Sequence, residues 1–146
     1  RDFFFAYSDS SVTWQRRELP KSSQGILIAN LPPGFSPKNT QSILLKTDSI
    51  IQSHIFGPTD NSHMTLEKKA TTLTDTIIIN GQSVLKIQSL WRMENDFMGG
   101  IFNVYYFKSL NKKKPKIIYT YLYAPGEKKS VFLIQLEAIV NTLIIN

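Results

Sequence analysis

The segment Asp75-Thr76-Ile77-Ile78-Ile79-Asn80-Gly81-Gln82-Ser83-Val84-Leu85-Lys86-Ile87-Gln88-Ser89-Leu90-Trp91-Arg92-Met93 decides the fold. Its two arms, Asp75–Ile79 and Gln82–Met93, flank Asn80-Gly81, the dipeptide that best tolerates the two positive φ angles of a type I′ turn. Side chains alternate between faces along a strand. Leu85, Ile87, Ser89, Trp91 and Met93 therefore share one face, and Lys86, Gln88 and Arg92 share the other. The pattern predicts an antiparallel hairpin whose long second arm carries Trp91 into a core.

Downstream, Leu90–Gly100 runs through a short polar turn to Gly99-Gly100 and then to a strand-like Ile101–Phe107. Two adjacent glycines predict a tight backbone reversal, because φ > 0 costs least at Gly. Ile101–Ser109 and Lys116–Ala124 predict a second hairpin around Asn111–Pro115, with Ile117, Tyr119, Tyr121 and Tyr123 on one face. Upstream, Gly25–Leu31 is a compact apolar run stopped by Pro32-Pro33-Gly34, which suits a buried strand. Met64–Lys69 is a short strand candidate, Arg1–Tyr7 suits an edge strand or the tail of a preceding element, and Val12–Leu19 sets Trp14 beside Arg16 and Arg17.

Two segments follow helical periodicity instead. Ser36-Pro37 resembles an N-cap followed by a first-turn proline. From Lys38 to Phe56, Ile43, Leu44, Thr47, Ile50, Ile51 and Ile55 form one face before Gly57-Pro58 stops it. Ser130–Ile145 carries Phe132, Leu136, Ile139, Val140 and Leu143 as its stripe. The expectation is a single α+β domain over residues 1–146, an antiparallel sheet of about five strands flanked by two main helices. Trp91 is expected to pack against the second helix.

With 146 residues, 42% hydrophobic and 19% charged, the chain can bury one core. No apolar run reaches the roughly 18–20 residues of a membrane helix. The chain has no cysteine, which excludes disulfides, iron–sulfur clusters and thiol catalysis within it. The net charge is +6, and ten basic residues cluster at Arg16–Arg17, Lys68–Lys69, Lys112–Lys114 with Lys116, and Lys128–Lys129. These clusters fall at predicted turns and strand ends, where solvated lysines block edge pairing. That reading outweighs nucleic-acid binding through Lys112–Lys116.

Catalytic signals are weak. His54 and His63 flank Gly57-Pro58 with Asp60 and Glu67 nearby, but the spacing is irregular for a metal site, and loop hydrogen bonding accounts for them better. Glu94 and Asp96 sit in a polar turn beside Arg92 and Asn95, where such residues bond the local backbone. No Gly-x-Ser-x-Gly elbow and no glycine-rich phosphate loop occurs. The sequence thus offers no catalytic, cofactor or metal residues and points away from an enzyme. Tyr105, Tyr106, Phe107, Tyr119, Tyr121 and Tyr123 lie on adjacent arms; most fit a core, and an exposed stripe would mark a protein- or glycan-binding surface. Tyr105, Tyr119, Tyr121, Tyr123 and Arg92 are accordingly the candidate partner-binding residues.

Four segments together resemble a known family. They are Trp14–Arg17 through Gly25–Ile28, Thr47–Ser49 through Phe56–Pro58 and Ser62–Thr65, Leu90–Gly100, and Tyr123–Gly126 through Gln135–Ala138. In this order they resemble an uncharacterised family of Bacteroidetes envelope lipoproteins, catalogued as domain of unknown function four-eight-three-seven. Where members tend to have Pro after the Gly-Gly, this chain has Ile101.

The resemblance implies an exported protein of the periplasm or outer membrane. This chain would be its C-terminal half, with a lipid-attachment Cys upstream. It brings no activity, catalytic residue or cofactor. The element order also resembles the PsbP/Mog type of sandwich. Asp48-Ser49-Ile50 and Asp75-Thr76-Ile77 resemble the Bacteroidetes O-glycosylation acceptor, Thr76 being the better candidate because Ser49 falls mid-helix.

The resulting expectation is a non-enzymatic binding or scaffold module of the cell envelope, with envelope proteins or glycans as partners in preference to nucleic acid. The alternative is an envelope hydrolase or carbohydrate-binding domain using the His54/His63 region or the Tyr-rich hairpin.

Overall fold

The computed structural model describes residues 3–108 and 114–143. Eight strands and two helices follow in chain order: β1 Phe4–Ser8, β2 Val12–Leu19, β3 Ser22–Asn30, α1 Thr40–His54, β4 His63–Leu66, β5 Leu73–Ile79, β6 Gln82–Glu94, β7 Gly99–Phe107, β8 Lys116–Tyr123 and α2 Ser130–Thr142. The strands form one curled antiparallel half-barrel sheet in the order β1-β2-β3-β8-β7-β6-β4, with β5 also paired to β6. The expectation of about five strands in a PsbP/Mog-like α+β sandwich is therefore corrected: the protein is mostly β.

Arg1–Tyr7 and Met64–Lys69 do hold strands β1 and β4, as their readings allowed, and the undercount has physical reasons. No residue of β1 is buried, so its sequence carries no alternation. β2 alternates only at Val12 and Trp14 before a run of charge, and β4 has four residues. Both take their place from pairing, β2 along the length of β3 and β4 against Trp91–Glu94 of β6.

The Asn80-Gly81 hairpin forms as the sequence predicts, with φ of 51° and 77° at the two turn residues. Gly99-Gly100 does not reverse the chain. Both residues lie within β7, and the reversal occurs earlier, with Asn95 at φ 65°. Ser36-Pro37 is likewise displaced as a cap: the Asn39 side chain accepts the Ser42 N–H at 2.9 Å, so α1 begins at Thr40.

Each helix covers one face of the sheet. On the α1 face, Ile43, Leu44, Ile51 and Ile55 join Trp14, Leu27, Met64, Ile87, Trp91, Phe102, Val104, Tyr119 and Tyr121 in the larger core. On the opposite face, Leu136 and Val140 of α2 pack with Ile26, Ile79, Val84, Tyr105, Phe107, Ile118 and Leu122. Asp48 fastens α1 to β4 by accepting the Thr65 hydroxyl at 2.7 Å and the Leu66 N–H at 3.0 Å. Lys86 pairs with Glu137, and the Asn80 amide donates to the Leu143 carbonyl, anchoring α2 near the β5–β6 turn.

Trp91 is buried as expected, but on the α1 face; the expectation that α2 covers it is wrong. The alternation along β6 was read correctly, and only the assignment of a helix to that face failed. Arg92 points to the other face, exposed and paired with Glu94 at 2.7 Å and Glu67 at 3.8 Å.

Truncating a ring buried to this degree removes contacts that the surroundings cannot replace. Trp91→Ala should lower the unfolding free energy by about 3–5 kcal/mol, a large share of a domain's typical ~5–15. Arg92→Ala should change it by less than about 1 kcal/mol, because its ion pairs are solvent-exposed. Urea denaturation of the two variants checks both values.

Candidate functional site

At the C-terminal end of α1 the two packed layers part, leaving an open cleft of about 320 Å³. The cleft is bounded by β2, by β8, by β6 and by the turn that follows α1. That turn is held by backbone bonds. The Ile55 N–H reaches the Ile51 carbonyl, the Met64 N–H reaches Ile55, and the Gly57 N–H reaches Ser62, each at 2.9 Å. A side chain at position 57 would collide with the Ser62 hydroxyl, so the glycine permits the turn to lie flat on β4.

The cleft is walled by rings. Tyr121 accepts a hydrogen bond from the Trp14 indole at 3.1 Å and meets the edge of Trp91 at 5.9 Å between ring centres. Tyr123 stands beyond it, 6.2 Å from Trp91 and half-buried. Tyr121 sits over Gly25 of β3, where any Cβ would overlap its ring. On the β2 side Arg16 lies over the rings of Phe4 and Trp14, at 5.6 and 5.8 Å from their centres, and pairs with Glu18 at 3.1 Å. Glu18 also accepts the Ser23 hydroxyl at 2.6 Å. The outer lip carries Phe56 and Met98.

Phe97, next to Met98 at the tip of the β6–β7 turn, is fully exposed. Phe4, Tyr7 and Phe56 are also exposed, at 49%, 41% and 63%. Folding alone gives no reason to leave four large rings in water near one end of a helix.

Burial moves the phenols away from ionisation. Desolvation pushes the Tyr121 and Tyr119 hydroxyls well above the usual tyrosine range, as it does Tyr105. These groups remain neutral at physiological pH and act as packing surface and hydrogen-bond partners. Tyr119 directs its hydroxyl to the Met64 sulfur at 3.1 Å.

The structure separates the residues that the sequence grouped. Tyr121 and Tyr123 line the cleft, whereas Tyr119 is fully buried behind it. Tyr105 belongs to the opposite face, buried with Lys86 5.9 Å from its ring centre. Arg92 is on that face too, and Thr76 is exposed on β5. Ser49 is exposed on α1, but the Asp48 before it is committed to the clamp on β4.

His54 directs Nδ1 to the Ile50 carbonyl at 2.8 Å and meets the Tyr7 ring edge-on at 5.1 Å; His63 pairs in register with Glu94. No three metal-ligating side chains converge among the described residues. Of the Lys112–Lys116 cluster, Lys112 and Lys113 lie outside the described residues, and Lys116 donates to Asn30 at 2.7 Å.

Trp14, Arg16, Glu18, Phe56, Met93 and Met98 were not proposed from sequence as site residues, although they line the cleft. The available signal was the alternation Trp14, Arg16, Glu18 along β2, which places a ring and two charges on one face.

The chain matches a family described as a domain of unknown function (DUF4837) over residues 1–142, and it belongs to that family. No curated protein matches it. Family membership is thus borne out, and the family carries no established activity.

Beside the cleft, the β1–β2 turn contains a pH-sensitive contact. The Tyr7 hydroxyl donates to Asp9 at 2.6 Å, and the Ser11 and Val12 N–H groups donate to the same carboxylate at 2.8 Å. These bonds, the phenol's foremost, lower the Asp9 pKa to about 2. A depressed carboxylate contributes above its unfolded pKa of about 3.9, and that contribution fades as pH falls toward about 2. Amide exchange at Ser11 and Val12 should therefore lose its turn protection between about pH 4 and pH 2. In Asp9→Asn that pH-dependent step should be absent.

Proposed function

We propose that this chain is a non-enzymatic binding module of the bacterial cell envelope, and that the aromatic cleft receives an apolar side chain of a partner protein. The carrying observation is the fully exposed Phe97 beside an open cleft walled by Trp14, Trp91, Tyr121 and Tyr123. Protein interfaces concentrate their affinity in such places, where aromatic anchors enter a desolvated pocket ringed by polar groups. Arg16, Glu18 and Ser23 supply the polar rim on one side.

Location in the envelope, with attachment through a lipid upstream of this segment, is proposed from the sequence resemblance described above. No described helix is long and apolar enough to cross a membrane.

A glycan is the second reading. It is favoured by the pairing of Tyr123 with the polar wall of Glu18 and Ser23, since sugars combine ring stacking with directed hydrogen bonds. The hydrolase reading draws less support. It requires a histidine meeting a serine or carboxylate, whereas the His54 ring is occupied by the Ile50 carbonyl and Tyr7.

A photo-crosslinking residue at position 97 or 123 of the native protein in cells should capture one predominant envelope protein. Phe97→Ser combined with Tyr123→Ala should abolish capture while leaving thermal unfolding within a few degrees of the parent. Capture that survives the double substitution, or a glycan bound at the same residues without a protein partner, would overturn the protein-docking reading.

A further inference from the structure

The β6–β7 turn holds its exposed ring in a fixed place. The Met93 N–H donates to the Met98 carbonyl at 2.8 Å, which closes the turn. Two further bonds tie it to the loop after α1. The Asn95 amide donates to the Asn61 carbonyl at 3.0 Å, and the Thr59 hydroxyl donates to the Asn95 carbonyl at 3.2 Å. Phe97 stands fully exposed on this braced turn, while its neighbour Met98 lines the aromatic cleft. A fixed apolar knob therefore lies beside an apolar hole, and its ring does not fill the hole of its own chain.

Knob and hole match in size and sign. A cavity of about 150 Å³ is enough to hold benzene, so a cleft of about 320 Å³ accepts a benzyl side chain with room for part of a flanking residue. Arg16 stands on the cleft rim. Asp96, immediately before Phe97, forms no ion pair among the described residues. A Phe97 entering from outside would bring a carboxylate toward that guanidinium.

A twofold contact is isologous, so one surface must carry both members of each pair. This surface does. A foreign partner would have to supply a knob for the cleft and a hole for Phe97, whereas a second copy supplies both at once. The area is sufficient as well. Two inserted rings, the cleft walls they cover and the exposed Phe4 and Phe56 beside them come to roughly 1,000 Å², at about 150–250 Å² for each large ring. Specific interfaces begin near that size, at the weak end of the range. Because the turn is already braced, insertion costs little loop ordering.

We propose that two copies of this chain pair about a twofold axis, each inserting Phe97 into the aromatic cleft of the other. The pairing rests on the cleft being a docking site for an apolar side chain, and it makes the partner a second copy.

Sedimentation equilibrium of the purified intact chain should show monomer and dimer exchanging, with a dissociation constant of about 1–100 μM. Phe97→Ser changes a fully exposed position and should weaken pairing about tenfold or more, with the urea midpoint close to that of the parent. Ser23→Trp plugs the cleft from β3 and should weaken pairing to a similar degree. In isotope-labelled Phe97→Ser the hole is intact and the knob is gone. Its Trp14 and Trp91 indole N–H signals should shift when unlabelled parent chain is added, and stay in place when unlabelled Phe97→Ser is added.

A chain that stays monomeric at about 1 mM, or a dimer indifferent to either substitution, would overturn the pairing. If a monomeric chain is still captured through position 97 by a different protein in cells, self-pairing falls and the docking role of the cleft stands. With neither a dimer nor a capture, both fall.

Discussion

The indole of Trp91 donates to the Leu122 carbonyl at 3.2 Å, crossing over β7 to reach β8. Only a residue without a Cβ can lie beneath it. A side chain at position 100 would overlap the Leu122 carbonyl oxygen and crowd the indole nitrogen. Gly100 is also the register partner of Trp91. One hydrogen bond therefore fixes the rotamer of the largest buried side chain, the spacing of three central strands and the back wall of the aromatic cleft. Satisfying a buried indole N–H in this way avoids a desolvation penalty of about 1–3 kcal/mol.

The remaining architecture divides around this centre. β6 has 13 residues, longer than any single neighbour on its outer edge, so β5 and β4 share that edge in succession. The α1 face holds the larger core and the Asp48 clamp. The α2 face holds the smaller one, and α2 is secured mainly by the packing of Leu136 and Val140. Half-exposed ion pairs such as Lys86–Glu137 orient that helix more than they hold it, since such pairs contribute little net energy.

What could be read from the sequence follows from how local each signal is. The Asn80-Gly81 turn, the alternation along β6 and β8, and the stripe on α2 depend on neighbours within a few residues, and all are present. The strand count was less legible than the strands: Arg1–Tyr7 and Met64–Lys69 read as candidates, but their place in the sheet is set by partners, β1 pairing with β2 across a register shift between Phe5 and Tyr7 and β4 riding on β6. The role of Gly99-Gly100 was misread for a related reason. A glycine needed for φ > 0 and a glycine needed for close approach look identical in sequence, and only the Trp91–Leu122 contact tells them apart. The cleft was half legible. Tyr121 and Tyr123 belong to a recognisable aromatic face, but the rings opposite them come from β2 and β6, far away along the chain.

The polarity of α1 accounts for the difference between its two ends. Toward its C-terminus two carbonyls are engaged, Ile50 by the His54 ring and Ile51 by the Ile55 N–H. With those two carbonyls satisfied, apolar rings can line that side without stranding either acceptor. At the N-terminus the situation reverses: the Asn39 side chain caps the Ser42 N–H, no acidic side chain stands in the first turn, and Lys38 and Lys108 add positive charge nearby. A helix laid across one face of an open sheet thus produces an apolar end and a cationic one from the direction in which its chain runs.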